Sequence, residues 1–140
     1  MQWQGAEDDE FIGGSTILDG ISAYLNGTIF YSEGVSFTDI IDIESVVNES
    51  KDADIVFLCL GEPSEAEGEG NINDLTLSSP QIELYSALSK LNIPIILILV
   101  EARPRVLGPA SNSDAILMAY LPGPYGGKAI AKILFGDVNP

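Results

Sequence analysis

The chain has no histidine, one cysteine and only six basic residues among its 140. Without an imidazole, the serine–histidine and cysteine–histidine nucleophile systems are excluded. Zinc and copper sites go with them, because their usual donors are histidine and cysteine in combination. The lone Cys59 cannot close an intrachain disulfide, and its place inside an apolar run makes it read as a buried thiol. Six Lys and Arg against 21 Asp and Glu leave a net charge of −15. That sign argues against nucleic acid or an anionic membrane as partner. No apolar run approaches the roughly 20 residues of a membrane span, and the acidic, polar stretch Met1 to Glu10 is the opposite of a signal peptide. Catalysis, if this chain takes part in it, rests on carboxylates, lysine, tyrosine or a missing partner, with no cofactor expected.

What is present is enough for one folded domain, residues 1–140. An apolar fraction of 46% suits a domain of this size, which buries about 68% of its unfolded surface. Four short, β-branched-rich runs read as strands buried on both faces: Thr28–Tyr31, Asp54–Leu60, Pro94–Val100 and Ala115–Tyr120. Between them lie segments with helical spacing. Ser15–Leu25 carries Ile17, Leu18, Ile21 and Leu25 as a stripe, and Ile43–Ser50 is a weaker helix. Pro80–Leu91 places Ile82, Tyr85, Leu88 and Leu91 on one face, with Ser79 as N-cap and Pro80 at the first helical position. A last helix over Gly126–Phe135 turns Ala129, Ile130, Ile133 and Leu134 inward and stops at Gly136. This alternation predicts an α/β fold, a mainly parallel sheet with helices on both faces.

The one strong compositional bias is the acidic stretch from Gly61 to Leu75, which contains Glu62, Glu65, Glu67 and Glu69 and follows directly on the run ending at Leu60. Open α/β sheets place their sites just beyond the carboxyl ends of the strands. Crowded carboxylates raise one another's pKa, so one of them can keep a proton and serve as a general acid, the chemistry a glycosidic oxygen needs.

Several segments, in order and at matching spacing, carry a resemblance through nearly the whole chain. They are Trp3-Gln4-Gly5, Gly14–Ile21, Ala53–Glu62, Glu65-Ala66-Glu67, Gly70–Leu77, Gln81–Leu88, Pro94–Pro104, Leu121-Pro122-Gly123, Gly126-Gly127 and Leu134–Pro140. Together they resemble the second, α/β-sandwich domain of family 3 glycoside hydrolases, the β-glucosidases and exo-glucanases. The resemblance implies a catalytic centre shared between two domains. A (β/α)8 barrel, absent from this chain, supplies the aspartate nucleophile, and a loop of the second domain supplies the acid/base glutamate. Aligned through Gly61-Glu62 and Gly70, that glutamate is Glu67. Trp3 matches a tryptophan that stacks on the sugar at the leaving-group side.

Members of the family commonly have tyrosine at the position of Glu65 and aspartate at that of Asn71, so the charge around Glu67 is altered here. They also have a further strand before Trp3 and more of the domain after Pro140. The expectation is therefore a domain lacking one strand. Such a gap leaves a sheet edge open to edge-to-edge association, so a homodimer is a possible state. The implied substrates are β-linked glucosides or short glucans. The compartment stays open, a secreted or periplasmic parent enzyme being one option.

Other readings compete. Glu65–Thr76 spaces its carboxylates at the first, third and fifth positions with Gly70 sixth, like an EF-hand calcium loop, but Thr76 stands where the bidentate glutamate belongs. A non-catalytic carbohydrate-binding, calcium-binding or scaffold module is thus the alternative function. Gly123–Lys128 precedes a helix but fails as a P-loop, since Pro122 replaces the first glycine and Ala129 the serine or threonine. Arg103 and Arg105 are expected to pair with the acidic loop across the strand ends and to orient its glutamates.

Overall fold

The computed structural model describes residues 13–64 and 68–140. Its centre is a parallel sheet of three strands in the order β1 (Val56–Gly61), β2 (Ile95–Val100) and β3 (Ala115–Met118). Val56 lies beside Ile95 and Gly61 beside Val100, while Ile96 lies beside Ala115 and Leu99 beside Met118. Helices α1 (Ile17–Ser22), α2 (Ile43–Ser50), α3 (Ser79–Leu88) and α4 (Gly126–Leu134) complete the α/β domain. The outer edges of β1 and β3 have no strand partner among the described residues, which is the geometry edge-to-edge association requires.

Strand alternation divides the apolar residues between two layers. On one face Leu58, Leu60, Ile95, Leu97 and Leu99 pack with Leu84, Tyr85 and Leu88 of α3, with Val46 and Val47 of α2 against the edge of that cluster. Across the other face lies α4. Between it and the sheet is an apolar groove of about 390 Å³, lined in part by Phe57, Ile96, Leu117, Ile133, Leu134 and Phe135.

Several expectations need correction. The strand at Ala115–Met118 is not buried on both faces, since Ala115 and Ile116 are exposed. Thr28–Tyr31 forms no strand; Phe30 and Tyr31 are 70% and 66% exposed. Its β-branched and aromatic residues suit a strand, but propensity is realised only where a neighbouring strand and a covering layer exist. Cys59 is exposed rather than buried. It alternates away from Leu58 and Leu60 on an edge strand, and α4 reaches that face at Phe57, whose ring lies 6.4 Å from that of Phe135. The N-cap of α3 is Ser78 instead of Ser79, and its buried face runs through Gln81, Leu84, Tyr85 and Leu88, with Ile82 and Leu91 only half-buried. In α4 it is Ala131 that is buried, and Ala129 is exposed.

The α4 result follows from what packs on that helix. Its buried residues are Gly126, Gly127, Ile130 and Ala131, a face on which α1 packs. A Cβ on Gly20 would collide with the Gly127 carbonyl, and a Cβ on Gly127 with the Thr16 carbonyl. The two helices therefore meet backbone to backbone. The Gly127 N–H donates to the Ser15 carbonyl at 3.2 Å. The start of α1 is fixed there by a capping box, with the Asp19 N–H on Thr16 Oγ1 at 3.0 Å and the Thr16 N–H on Asp19 Oδ2 at 2.9 Å.

Gly127→Ala should therefore force the helices apart, costing about 1–3 kcal/mol and lowering Tm by roughly 5–10 °C. Gly27→Ala, which points into open space, should shift Tm by less than about 2 °C. Equal, small shifts in thermal melts of the two variants would contradict the close packing.

Candidate active site

The carboxyl ends of β1 and β2 are joined by a buried ionic clasp. Glu62, the residue after β1, is only 6% exposed although it is charged. Its Oε1 accepts from Arg103 Nε at 3.1 Å and from the Ala102 N–H at 3.0 Å, and its Oε2 accepts from an Arg105 terminal nitrogen at 2.8 Å. These are the only two arginines in the sequence. A carboxylate withdrawn from water needs this many donors, since an unpaired buried charge costs several kcal/mol.

Each arginine uses its remaining donors on the returning half of the acidic loop. Arg103 donates to the Gly70 carbonyl at 2.9 Å. Arg105 donates to the carbonyls of Leu75 at 2.9 Å and Thr76 at 2.6 Å. The backbone adds to this, as the Val106 N–H binds the Leu75 carbonyl at 2.8 Å and the Leu77 N–H binds the Val106 carbonyl at 3.1 Å. Leu77, 2% exposed, then anchors the segment in the core. The expected pairing of Arg103 and Arg105 with the acidic loop is thus present, but the carboxylate they take is Glu62. Glu62 is accordingly a structural anchor and is not available as the proton donor of the loop.

The start of the loop is equally fixed. Gln81 of α3 binds both backbone groups of Gly61, its amide donating to the carbonyl at 2.8 Å and its Oε1 accepting from the N–H at 3.0 Å. Gly61 has φ near +156°, and any Cβ there would collide with the Val100 carbonyl. Glycine is what allows β1 to lie this close to β2 at its exit.

Glu101, the residue after β2, is fully buried, and neither carboxyl oxygen has a hydrogen-bond partner among the described residues. Burial pushes its pKa up to about 7, with the Arg105 charge acting in the opposite direction and Glu62 adding to the rise. Nothing in the local pattern marks Glu101, which sits at the end of an apolar run much as Glu62 does. The only sequence signal for this cluster is the Arg103-Pro104-Arg105 segment beyond β2.

Glu67 and Trp3, the expected acid/base and sugar-stacking residues, lie outside the described residues, as do the side chains of Glu65 and Glu69. The calcium reading depends on these same glutamates. What is described is the frame on either side: Glu62 to Ser64 leaving β1, and a single 3-10 turn at Gly68–Gly70 with the Asn71 N–H on the Gly68 carbonyl at 3.1 Å. Among the described residues no group of three or more Cys, Asp or Glu side chains could hold a metal ion. At the Gly123–Lys128 turn, Gly123 adopts φ near +70° and α4 begins at Gly126, the turn and helix start expected there.

Removing Arg103 frees the Gly70 carbonyl and one contact to Glu62. Arg103→Ala should raise amide exchange over residues 68–76 by at least about tenfold while that of β2 changes little. Unchanged exchange in that segment would show that the arginine does not hold the loop.

The comparisons with known proteins agree with the α/β fold. Residues 2–140 match the family model described as the glycosyl hydrolase family 3 C-terminal domain. The lysosomal beta glucosidase of Dictyostelium discoideum is 43% identical over 150 residues, covering 100% of this chain and 18% of that protein. The periplasmic beta-glucosidase of Salmonella typhimurium is 36% identical, over 70% of this chain and 13% of its own length. Among solved structures, the β-glucosidase EmGH1 of Erythrobacter marinus superposes with a TM-score of 0.81 at 32% identity, covering 91% of this chain and 22% of that one. The β-glucosidase of Listeria innocua in complex with isofagomine gives 0.80 at 29%, covering 91% and 18%. The chain thus spans about one fifth of the length of these relatives, and it belongs to the glycosyl hydrolase family 3 C-terminal domain family.

Proposed function

We infer that this chain is the domain that supplies the acid/base residue to a retaining β-glucosidase-like glycoside hydrolase, with Glu67 in that role. The observation that carries the reading is the loop's mounting. Both ends of the acidic segment are fixed at the carboxyl edge of the sheet, by Gln81 on Gly61 and by Glu62 with the two arginines on Gly70, Leu75 and Thr76. A proton donor must be held within a fraction of an ångström of its target, and a loop pinned at both ends can do so. Support also comes from the names of the relatives, which are β-glucosidases and, at 31% identity, a β-xylosidase of Formosa agariphila.

The mechanism is double displacement with retention. Glu67 protonates the departing glycosidic oxygen, and the same carboxylate then takes a proton from the water that attacks the glycosyl intermediate. The reaction needs a second carboxylate about 5 to 5.5 Å away as nucleophile. A (β/α)8 barrel outside this chain supplies it, together with the contacts that hold the sugar, and Trp3 stacks against the sugar on the leaving-group side. The substrates are β-linked glucosides or short glucans.

The purified chain alone should not turn over an aryl β-glucoside. Joined to the barrel of a family relative it should do so, and Glu67→Gln should then lower kcat by about 10²- to 10⁴-fold. Turnover by the chain alone, or a chimera indifferent to Glu67→Gln, would overturn the assignment.

A further inference from the structure

We propose that Glu101 is a positioning residue for the acidic loop. With its carboxyl protonated the clasp holds residues 68–76 closed, and on losing that proton it draws Arg105 from the loop carbonyls and lets the segment open. The functional meaning rests on the reading of Glu67 above; the conformational claim does not.

The geometry sets up the competition. Glu101 has no exposed surface and no partner for either carboxyl oxygen among the described residues. A neutral carboxyl tolerates that environment, whereas an ionised one requires donors. The cation on its own loop that acts on it is Arg105, which is already committed to Glu62, Leu75 and Thr76. Arg103 is committed to Glu62 and Gly70.

Other described groups around Glu101 are Glu62 from the end of β1, which opposes its ionisation, and Tyr120 from beyond β3, whose carbonyl accepts the Glu101 N–H at 3.1 Å. Asp74, on the loop, is held below its ordinary value by the Thr76 backbone and side chain and by Arg105, so it has already lost its proton where Glu101 titrates. The Arg105 backbone N–H already favours the ionised form; among the described residues, the acceptor sites that remain on an ionised Glu101 are met by the Arg105 guanidinium or by water. Either route loosens the contacts to Leu75 and Thr76, and the released proton goes to solvent.

The sign follows from linkage. In the closed state Glu101 keeps its proton up to about pH 7, and once solvated it returns toward its ordinary value of 4.5. Between those values each pH unit favours opening by up to about tenfold; above pH 7 the effect levels off.

Hydrogen exchange of the wild-type chain at pH 5, 6, 7 and 8, corrected for intrinsic rates, should show protection of residues 68–76 falling at least tenfold from pH 5 to 7 and levelling beyond. Protection in Glu101→Gln should be flat across that range. A loop with the same pH dependence in both proteins overturns the proposal. Should Glu101→Gln not fold, carbon-detected NMR of the wild-type decides. A Glu101 carboxyl titrating near 7, with the 68–76 amides following the same curve, supports it. Titration in the ordinary carboxylate range, or amides that stay still, overturns it. A failure of Glu67 as acid/base would leave these protections intact and show only in turnover.

Discussion

One carboxylate, Glu62, organises the functional end of this fold. It is removed from water at the exit of β1, and the two arginines of the sequence, 41 and 43 residues further along the chain, converge on it. In a chain of net charge −15, placing both guanidinium groups at one buried glutamate concentrates positive charge where the acidic loop begins and returns. Arginine suits this task better than lysine, because its planar fork can bind the carboxylate and several carbonyls at once. The clasp joins β1, the loop after β2 and the segment entering α3 into one unit. Without both arginines Glu62 would remain as a buried charge with no cationic partner among the described residues.

The rest of the fold supplies the platform. β1 approaches β2 so closely at Gly61 that no side chain fits, and Gln81 closes the backbone groups that the end of the ladder leaves free. On the opposite layer the glycine contact between α1 and α4 brings two backbones together without side chains between them. In both places a missing Cβ sets the geometry: at Gly61 it fixes the end of the sheet from which the loop is projected, and at Gly20 and Gly127 it joins two helices.

How much of this is legible in sequence depends on how far each feature reaches along the chain. β1 and β2 are recognisable because short, continuous apolar runs have few alternatives to a strand of the sheet, and α3 and α4 because their apolar spacing repeats. Thr28–Tyr31 has the same local character yet pairs with no strand among the described residues, and Phe30 and Tyr31 stay exposed; a strand is a property of its neighbours as much as of its residues. Cys59 is exposed for a similar reason, its strand lying at the edge. The Ala129 and Ala131 exchange is invisible without knowing that α1 packs on α4. The Glu62 clasp is half legible: arginines just beyond a strand end predict pairing with the loop, but which glutamate they take depends on the register of β1 against β2. Glu101 is wholly a tertiary effect, since its burial comes from elements distant in sequence.

Whether the Glu62 and Arg105 side chains act as a coupled unit is decided by a double-mutant cycle on Glu62→Gln and Arg105→Gln, followed by denaturant unfolding. A buried clasp of this kind should give a coupling free energy of about 2 kcal/mol or more, at the upper end for interacting pairs. A coupling below about 0.5 kcal/mol, as expected for independent sites, would contradict it.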